Sequence, residues 1–154
     1  MKEKVYKLGE LFCGPGGIAL GAYNANVYDA TTDTEYTIKH EWANDYHQET
    51  CDTYQHNFPN TKVVCGDVSK LDIPSLGQID GFAYGFPCND FSIVGETKGL
   101  DGKFGGLYSY GITVLDEYNP DFFIAENVGG LTSANEGKAF NKIMHDLENA
   151  GNDG

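Results

Sequence analysis

Cys88 and Glu126 are the side chains of this sequence best suited to making and breaking bonds. Cys88 lies in the run Gly85-Phe86-Pro87-Cys88-Asn89-Asp90-Phe91-Ser92, and Glu126 in Ala125-Glu126-Asn127-Val128. Each run follows a short apolar stretch that reads as a β-strand, so each side chain would stand at a strand's carboxyl end. A free thiol ionises only near pH ~8.5, so a nucleophilic cysteine needs surroundings that favour the thiolate. A single cysteine is more often an apolar filler. Pro87 before Cys88 and the glycine-rich residues after it argue for exposure instead. A thiolate beside a carboxylic acid suits conjugate addition to an electron-poor ring, with the acid relieving the negative charge that develops.

These residues need a frame that brings strand ends together. Apolar runs alternate with stretches of helical spacing along the whole chain. Strands are expected at residues 5–12, 36–43, 62–65, 79–86 and 121–126. Helices are expected at 18–25, 46–58, 107–118 and 137–150, and residues 29–35 read as an exposed loop or hairpin. Strands alternating with helices imply parallel pairing and a doubly wound α/β sheet in one domain covering residues 1–154. Residues 89–106 break the rhythm and are expected to form an active-site loop.

In such sheets ligands bind at the carboxyl ends of the strands, where strand order reverses. The first strand ends in the turn Phe12-Cys13-Gly14-Pro15-Gly16-Gly17, whose glycines allow positive φ and close approach of the backbone. Asp45 follows the second strand, where a carboxylate can accept from both hydroxyls of a ribose, and Tyr46 can lay its ring on an adenine. Asp67 follows the third strand and can accept from an adenine amino group. Taken singly, each aspartate is an ordinary turn or capping residue. The glycine turn, Asp45 with Tyr46, and Asp67, at three successive strand ends, together point to an adenosine-containing cofactor. The G-x-G-x-x-G spacing and the Walker lysine are both missing, which favours S-adenosylmethionine over nicotinamide cofactors and ATP. The thiol and carboxylate complete one reaction. Attack of Cys88 on carbon 6 of cytosine, with Glu126 at ring nitrogen 3 and the exocyclic amine, makes carbon 5 able to accept an electrophilic methyl group.

With these residues in order, the sequence resembles the cytosine-C5 DNA methyltransferase family over nearly its whole length. The resemblance implies a Rossmann-like S-adenosylmethionine-dependent methyltransferase sheet, incomplete on its C-terminal side. It implies that Phe12 lies near the adenine or sulfonium and that the backbone of Gly14, Pro15, Gly16 and Gly17 holds the methionine part. Asp45, Tyr46, Asp67 and Val68 complete the cofactor site. Cys88 carries over as nucleophile and Glu126 as the cytosine-binding acid; Pro87 shapes the cysteine turn and Asn127 braces the catalytic loop. Ser92 and Asn89 fall at DNA-contacting positions; many relatives carry glutamine where this chain has Asn89. Lys103 stands near a loop position that is often arginine in relatives.

The charge balance, 10 Lys+Arg against 23 Asp+Glu, gives a net −13 and little material for a phosphate-gripping face. The family continues past the fifth strand with more sheet, a target-recognition domain and a final helix. Double-stranded DNA would therefore be held through another part, or by a complementing C-terminal half, and this chain alone is expected to have little activity. The competing readings are a non-catalytic S-adenosylmethionine-binding partner subunit and a tRNA cytosine-C5 methyltransferase. His47, Cys51, His56 and Cys65 match no familiar zinc spacing, so no metal is expected. The cysteines at 13, 51, 65 and 88 form no CxxC pair and read as free thiols. No apolar run approaches the roughly 20 residues of a membrane span, so a cytoplasmic protein is expected.

Overall fold

The computed structural model describes residues 1–87 and 106–151. Among the described residues six strands form one mixed sheet. β1 (Lys2–Leu11) is central and parallel to β3 (Thr34–Asp45) on one side and β5 (Gly81–Gly85) on the other. The far edge of β3 is shared: β2 (Val27–Asp29) pairs antiparallel with its start, and β4 (Lys62–Cys65) runs parallel to its end. Outside β5 lies β6 (Phe122–Glu126), also parallel. The chain thus moves outward from β1 to β3 and β4, then jumps back across β1 to β5. The strand order reverses beside β1, the position at which open α/β sheets bind ligands.

The expected strands and helices are all present, with ends displaced by a few residues. Residues 29–35 form a hairpin turn, because Asp29 accepts from the Thr31 amide and from the Thr31 and Thr32 hydroxyls. The sheet is consequently mixed rather than wholly parallel. Between β4 and β5 the chain uses two 3-10 turns, Val68–Lys70 and Ile73–Ser75, in place of a crossover helix. The expected loop over residues 89–106 lies outside the described residues except for Gly106.

Each sheet face is covered separately. α1 (Gly17–Tyr23) and α2 (Gln48–Asn57) lie on one face, over a small core of Cys13, Ala19, Ala43 and Tyr54. The larger core, on the other face, joins Leu11, Trp42, Phe82 and Tyr84 to α3 (Tyr108–Tyr118) and α4 (Lys138–Glu148). α4 buries Ala139, Ile143 and Leu147, a four-residue spacing that keeps them on one stripe. Burying each of the two larger side chains is worth about 1.5–3 kcal/mol. Two glycines let rings settle against the strands: a Cβ on Gly9 would stand 2.4 Å from the Trp42 ring, and one on Gly81 equally close to Phe122. β6 is the outer strand; Phe123, Ile124 and the following Val128 are 41%, 50% and 54% exposed. No helix among the described residues is long and apolar enough to cross a membrane.

Candidate active site

The cofactor-side residues converge at the carboxyl ends of β1, β3 and β4. β1 leaves the sheet through a turn in which Phe12, Gly14 and Gly16 all have positive φ, at 54°, 55° and 101°. Such angles are unusual for phenylalanine and ordinary for glycine. A Cβ on Gly16 would meet Phe58 at 2.7 Å, so this glycine lets the turn sit directly on α2. At Gly14 and Gly17 a Cβ would meet nothing within 4 Å, so the backbone there is open to a ligand.

Asn44 and Asp45 stitch the three strand ends. The Cys13 amide donates to the Asn44 carbonyl at 3.0 Å, and the Gly66 amide to the Asp45 carbonyl at 2.9 Å. The buried Asn44 side chain donates to the Val64 and Gly66 carbonyls at 2.8 and 3.1 Å. The Asp45 carboxylate accepts from the Gly14 amide at 2.9 Å and the His47 amide at 3.0 Å. Asp45 therefore shapes the glycine turn. Tyr46 beside it is 76% exposed, a free ring at the sheet edge. Asp67 caps the following 3-10 turn through the Ser69 amide, and that bond is the main reason its carboxyl lies below the usual range. Val68 is buried in the large core, so it supports the turn from below.

On the other side of β1 stand the chemical residues. β5 ends at Gly85, and Phe86 packs in the core between Tyr84 and Tyr108. Pro87 is half-buried, and Cys88, Asn89, Ser92 and Lys103 lie outside the described residues. Glu126 is paired with Gly85 in the β5–β6 register and lies across it: a Cβ on Gly85 would be 3.1 Å from Glu126 Oε2. Asn127 donates from Nδ2 to the Phe86 carbonyl at 3.0 Å. Glu126 and Asn127 are thus brought to the chain that leads into Pro87.

Three contributors were not legible as site residues. Asn44, polar at the end of a strand, is the structural partner of Asp45. Gly85 is the clearance for Glu126. Glu10 is buried under the glycine turn, takes a hydrogen bond from the Tyr54 hydroxyl at 3.0 Å, and is pushed up to about 7 by burial. Its carboxylate inside an otherwise apolar strand end was the available signal. Among the described residues no group of three or more His, Cys, Asp or Glu side chains is arranged to hold a metal ion.

The family profile for C-5 cytosine-specific DNA methylase matches residues 6–153. The chain belongs to the C-5 cytosine-specific DNA methylase family. It is 56% identical to the Type II methyltransferase M.BbvI of Brevibacillus brevis, over 95% of this chain and 41% of that protein. To the Type II methyltransferase M.NgoFVII of Neisseria gonorrhoeae it is 34% identical, over 94% of this chain and 36% of the relative. The chain therefore spans about two fifths of the length of these relatives. A solved Escherichia coli structure, described as a DNA modification methyltransferase encoded within a prophage, superposes with a TM-score of 0.69 at 26% identity. It covers 93% of this chain and 38% of its own. The S. pombe Dnmt2 methyltransferase shares the fold, with a TM-score of 0.62 at 19% identity.

Proposed function

We propose that this C-5 methylase chain is the cofactor-binding and catalytic part of a DNA (cytosine-5-)-methyltransferase of a type II restriction–modification or phage modification system, acting in the cytoplasm. The observation that carries the reading is the pairing of two residue groups across β1: Asp45, Tyr46 and Asp67 at one set of strand ends, Glu126 and Asn127 at the other.

The residues present fit S-adenosylmethionine. Open backbone at Gly14 and Gly17 suits the methionine part, the Asp45 carboxylate a ribose, and the exposed Tyr46 ring and Asp67 an adenine. Bound there, S-adenosylmethionine would supply an electrophilic methyl group. Phe12, Pro15, Gly16 and Val68 shape and support the pocket. The protein's own chemistry falls to Cys88 and Glu126. The Cys88 thiolate adds to carbon 6 of a cytosine. Glu126, as the acid at ring nitrogen 3 and the exocyclic amine, offsets the charge that develops. Loss of the carbon-5 proton after methylation expels the thiolate. Pro87 and Asn127 fix the path of the chain on either side of this pair, with Asn89 and Ser92 on the DNA side.

All ten basic residues of the chain are lysines. The bidentate arginine contacts by which proteins commonly read guanine are therefore not available from this chain. Base flipping requires contacts on both sides of the target nucleotide and costs a few kcal/mol. Double-stranded DNA is accordingly held by the further length that the relatives possess, contiguous or supplied as a complementing C-terminal half.

The test is trapping. Duplex DNA containing 5-fluorocytosine, S-adenosylmethionine and a C-terminal half taken from a close relative should yield a covalent protein–DNA adduct through Cys88. An equal yield with Cys88→Ser would refute the nucleophile assignment. S-adenosylhomocysteine binding without any adduct would favour a non-catalytic partner subunit, and an adduct with tRNA but not DNA a tRNA enzyme.

A further inference from the structure

Two thiols that the proposed reaction does not use flank the Asp45–Tyr46 pair. Cys51 lies in the first turn of α2, is buried, and donates to the Asp45 carbonyl at 3.4 Å. Cys65 ends β4, is the parallel-register partner of Asp45, is exposed, and directs its thiol to the Tyr46 carbonyl at 3.9 Å. The two sulfurs thus engage the carbonyls of consecutive residues, one from α2 and one from β4. Burial pushes the Cys51 thiol up to about 12, with Cys65 and Asp45 adding to the effect. Cys13, the third described cysteine, is buried in the small core beneath the turn.

We propose that Cys51 and Cys65 form a reversible dithiol–disulfide pair that controls occupancy of the cofactor site. The control of the cofactor rests on the reading given under Proposed function; the disulfide itself does not. The oxidant is a low-molecular-weight disulfide such as glutathione disulfide. Cys65, the accessible thiol, attacks one of its sulfurs and expels one thiol, leaving a mixed disulfide on Cys65. Cys51 then gives up its proton and attacks Cys65 Sγ as the thiolate, a slow step because burial disfavours ionisation, and expels the second thiol. One S–S bond forms and one breaks, and the two cysteine protons leave with the two expelled thiolates. The dithiol loses two electrons and the oxidant gains them.

Disulfide formation acts on the cofactor residues directly. Bonded sulfurs stand about 2.05 Å apart, so the first turn of α2 and the end of β4 must draw together around Asp45 and Tyr46. Both S–H donors disappear: the Tyr46 carbonyl loses the Cys65 thiol, and the Asp45 carbonyl loses the Cys51 thiol and keeps the Gly66 amide. The backbone between them is the one that aims the Asp45 carboxylate at the Gly14 amide. Oxidised protein therefore binds the cofactor less well, and reduction restores it.

The experiment treats the full chain with glutathione disulfide, blocks remaining thiols by alkylation, and maps the cysteine linkages by mass spectrometry without reduction. Calorimetry then measures S-adenosylhomocysteine binding by the reduced and oxidised forms. The expected result is a Cys51–Cys65 cross-link, reversed by dithiothreitol, with binding about tenfold weaker when oxidised, the equivalent of losing one or two hydrogen bonds. Cys65→Ser, at an exposed position, should keep the melting temperature and abolish both the cross-link and the redox response. Glutathione retained on Cys65 with Cys51 alkylated overturns the dithiol, as does a cross-link to Cys13 or Cys88. A mapped Cys51–Cys65 disulfide with unchanged affinity overturns the control of binding. Reduced chain without affinity overturns that control together with the methyltransferase reading, while the linkage map still decides the disulfide.

Discussion

The Asn127 side-chain amide donates to the Phe86 carbonyl at 3.0 Å, latching the exit of β6 to the exit of β5 one residue before Pro87. The same side chain accepts from the Val128 amide at 2.8 Å, so both ends of the carboxamide are fixed. Asn127→Ala leaves the Phe86 carbonyl without this partner in a partly buried place. A loss of about 1–2 kcal/mol is expected in urea denaturation. Faster hydrogen exchange should be confined to the ends of β5 and β6; exchange spread evenly over the sheet would show that the latch has no local role.

Gly85 and Glu126 give a prediction about chemistry rather than stability. The Gly85 backbone needs no left-handed angle, so alanine is conformationally acceptable there. Its Cβ would nevertheless stand 3.1 Å from Glu126 Oε2, and the carboxylate would have to move by a few tenths of an ångström. Gly85→Ala should change folding stability by less than about 0.5 kcal/mol, the usual range for a tolerated substitution. Adduct formation on 5-fluorocytosine DNA, measured with the complementing half, should slow by about tenfold, because small displacements of positioned groups are costly to rate. Unaltered trapping kinetics would remove Glu126 from the reacting geometry.

Glu10 gives a pH prediction. Burial holds its carboxyl protonated up to about pH 7, against 4.5 for a free glutamate. The folded chain therefore binds the proton more tightly than the unfolded one between these values. The resulting stability is fully present below pH 4.5 and is lost as pH rises through 7. The difference corresponds to about 3 kcal/mol as an order of magnitude. Glu10→Gln keeps an acceptor for the Tyr54 hydroxyl and cannot ionise. Denaturant midpoints should match the parent at pH 5 and exceed it at pH 8; parallel profiles from pH 5 to 8 would contradict the burial of a titrating carboxyl.

At Gly111 two effects oppose each other. Alanine in a helix interior is favoured over glycine by about 1 kcal/mol. A Cβ at Gly111, however, would lie 2.3 Å from the Tyr84 ring, which is fully buried and stacked on Phe82. Overpacking of this kind costs about 1–3 kcal/mol, so the clash should win and Gly111→Ala should lower the melting temperature. A stabilised variant would mean that Tyr84 has room to move.

Local pattern and motif order determined much of this protein. Strand β4 falls at residues 62–65, as its apolar run between polar flanks requires, and α3 begins one residue after the helical spacing does. Asp45, Asp67 and Glu126 were recognisable because each stands at or just past the end of a strand, and parallel strands deliver their carboxyl ends to one edge. The hairpin at Asp29 and the 3-10 route between β4 and β5 were less legible, since turn chemistry spans too few residues to show a period.

Tertiary structure decided the relations between distant residues. Spacing along the chain could not show that β1 lies between β3 and β5, because hydrogen-bond partners across a sheet have no local signature. It could not show that Asp45 holds Gly14, 31 residues away, or that Glu126 needs the bare Cα of Gly85. The states of Glu10 and of the Cys51 thiol were equally hidden. A carboxyl or a thiol acquires its character from what excludes water around it, and that is settled only when α2 packs on the sheet.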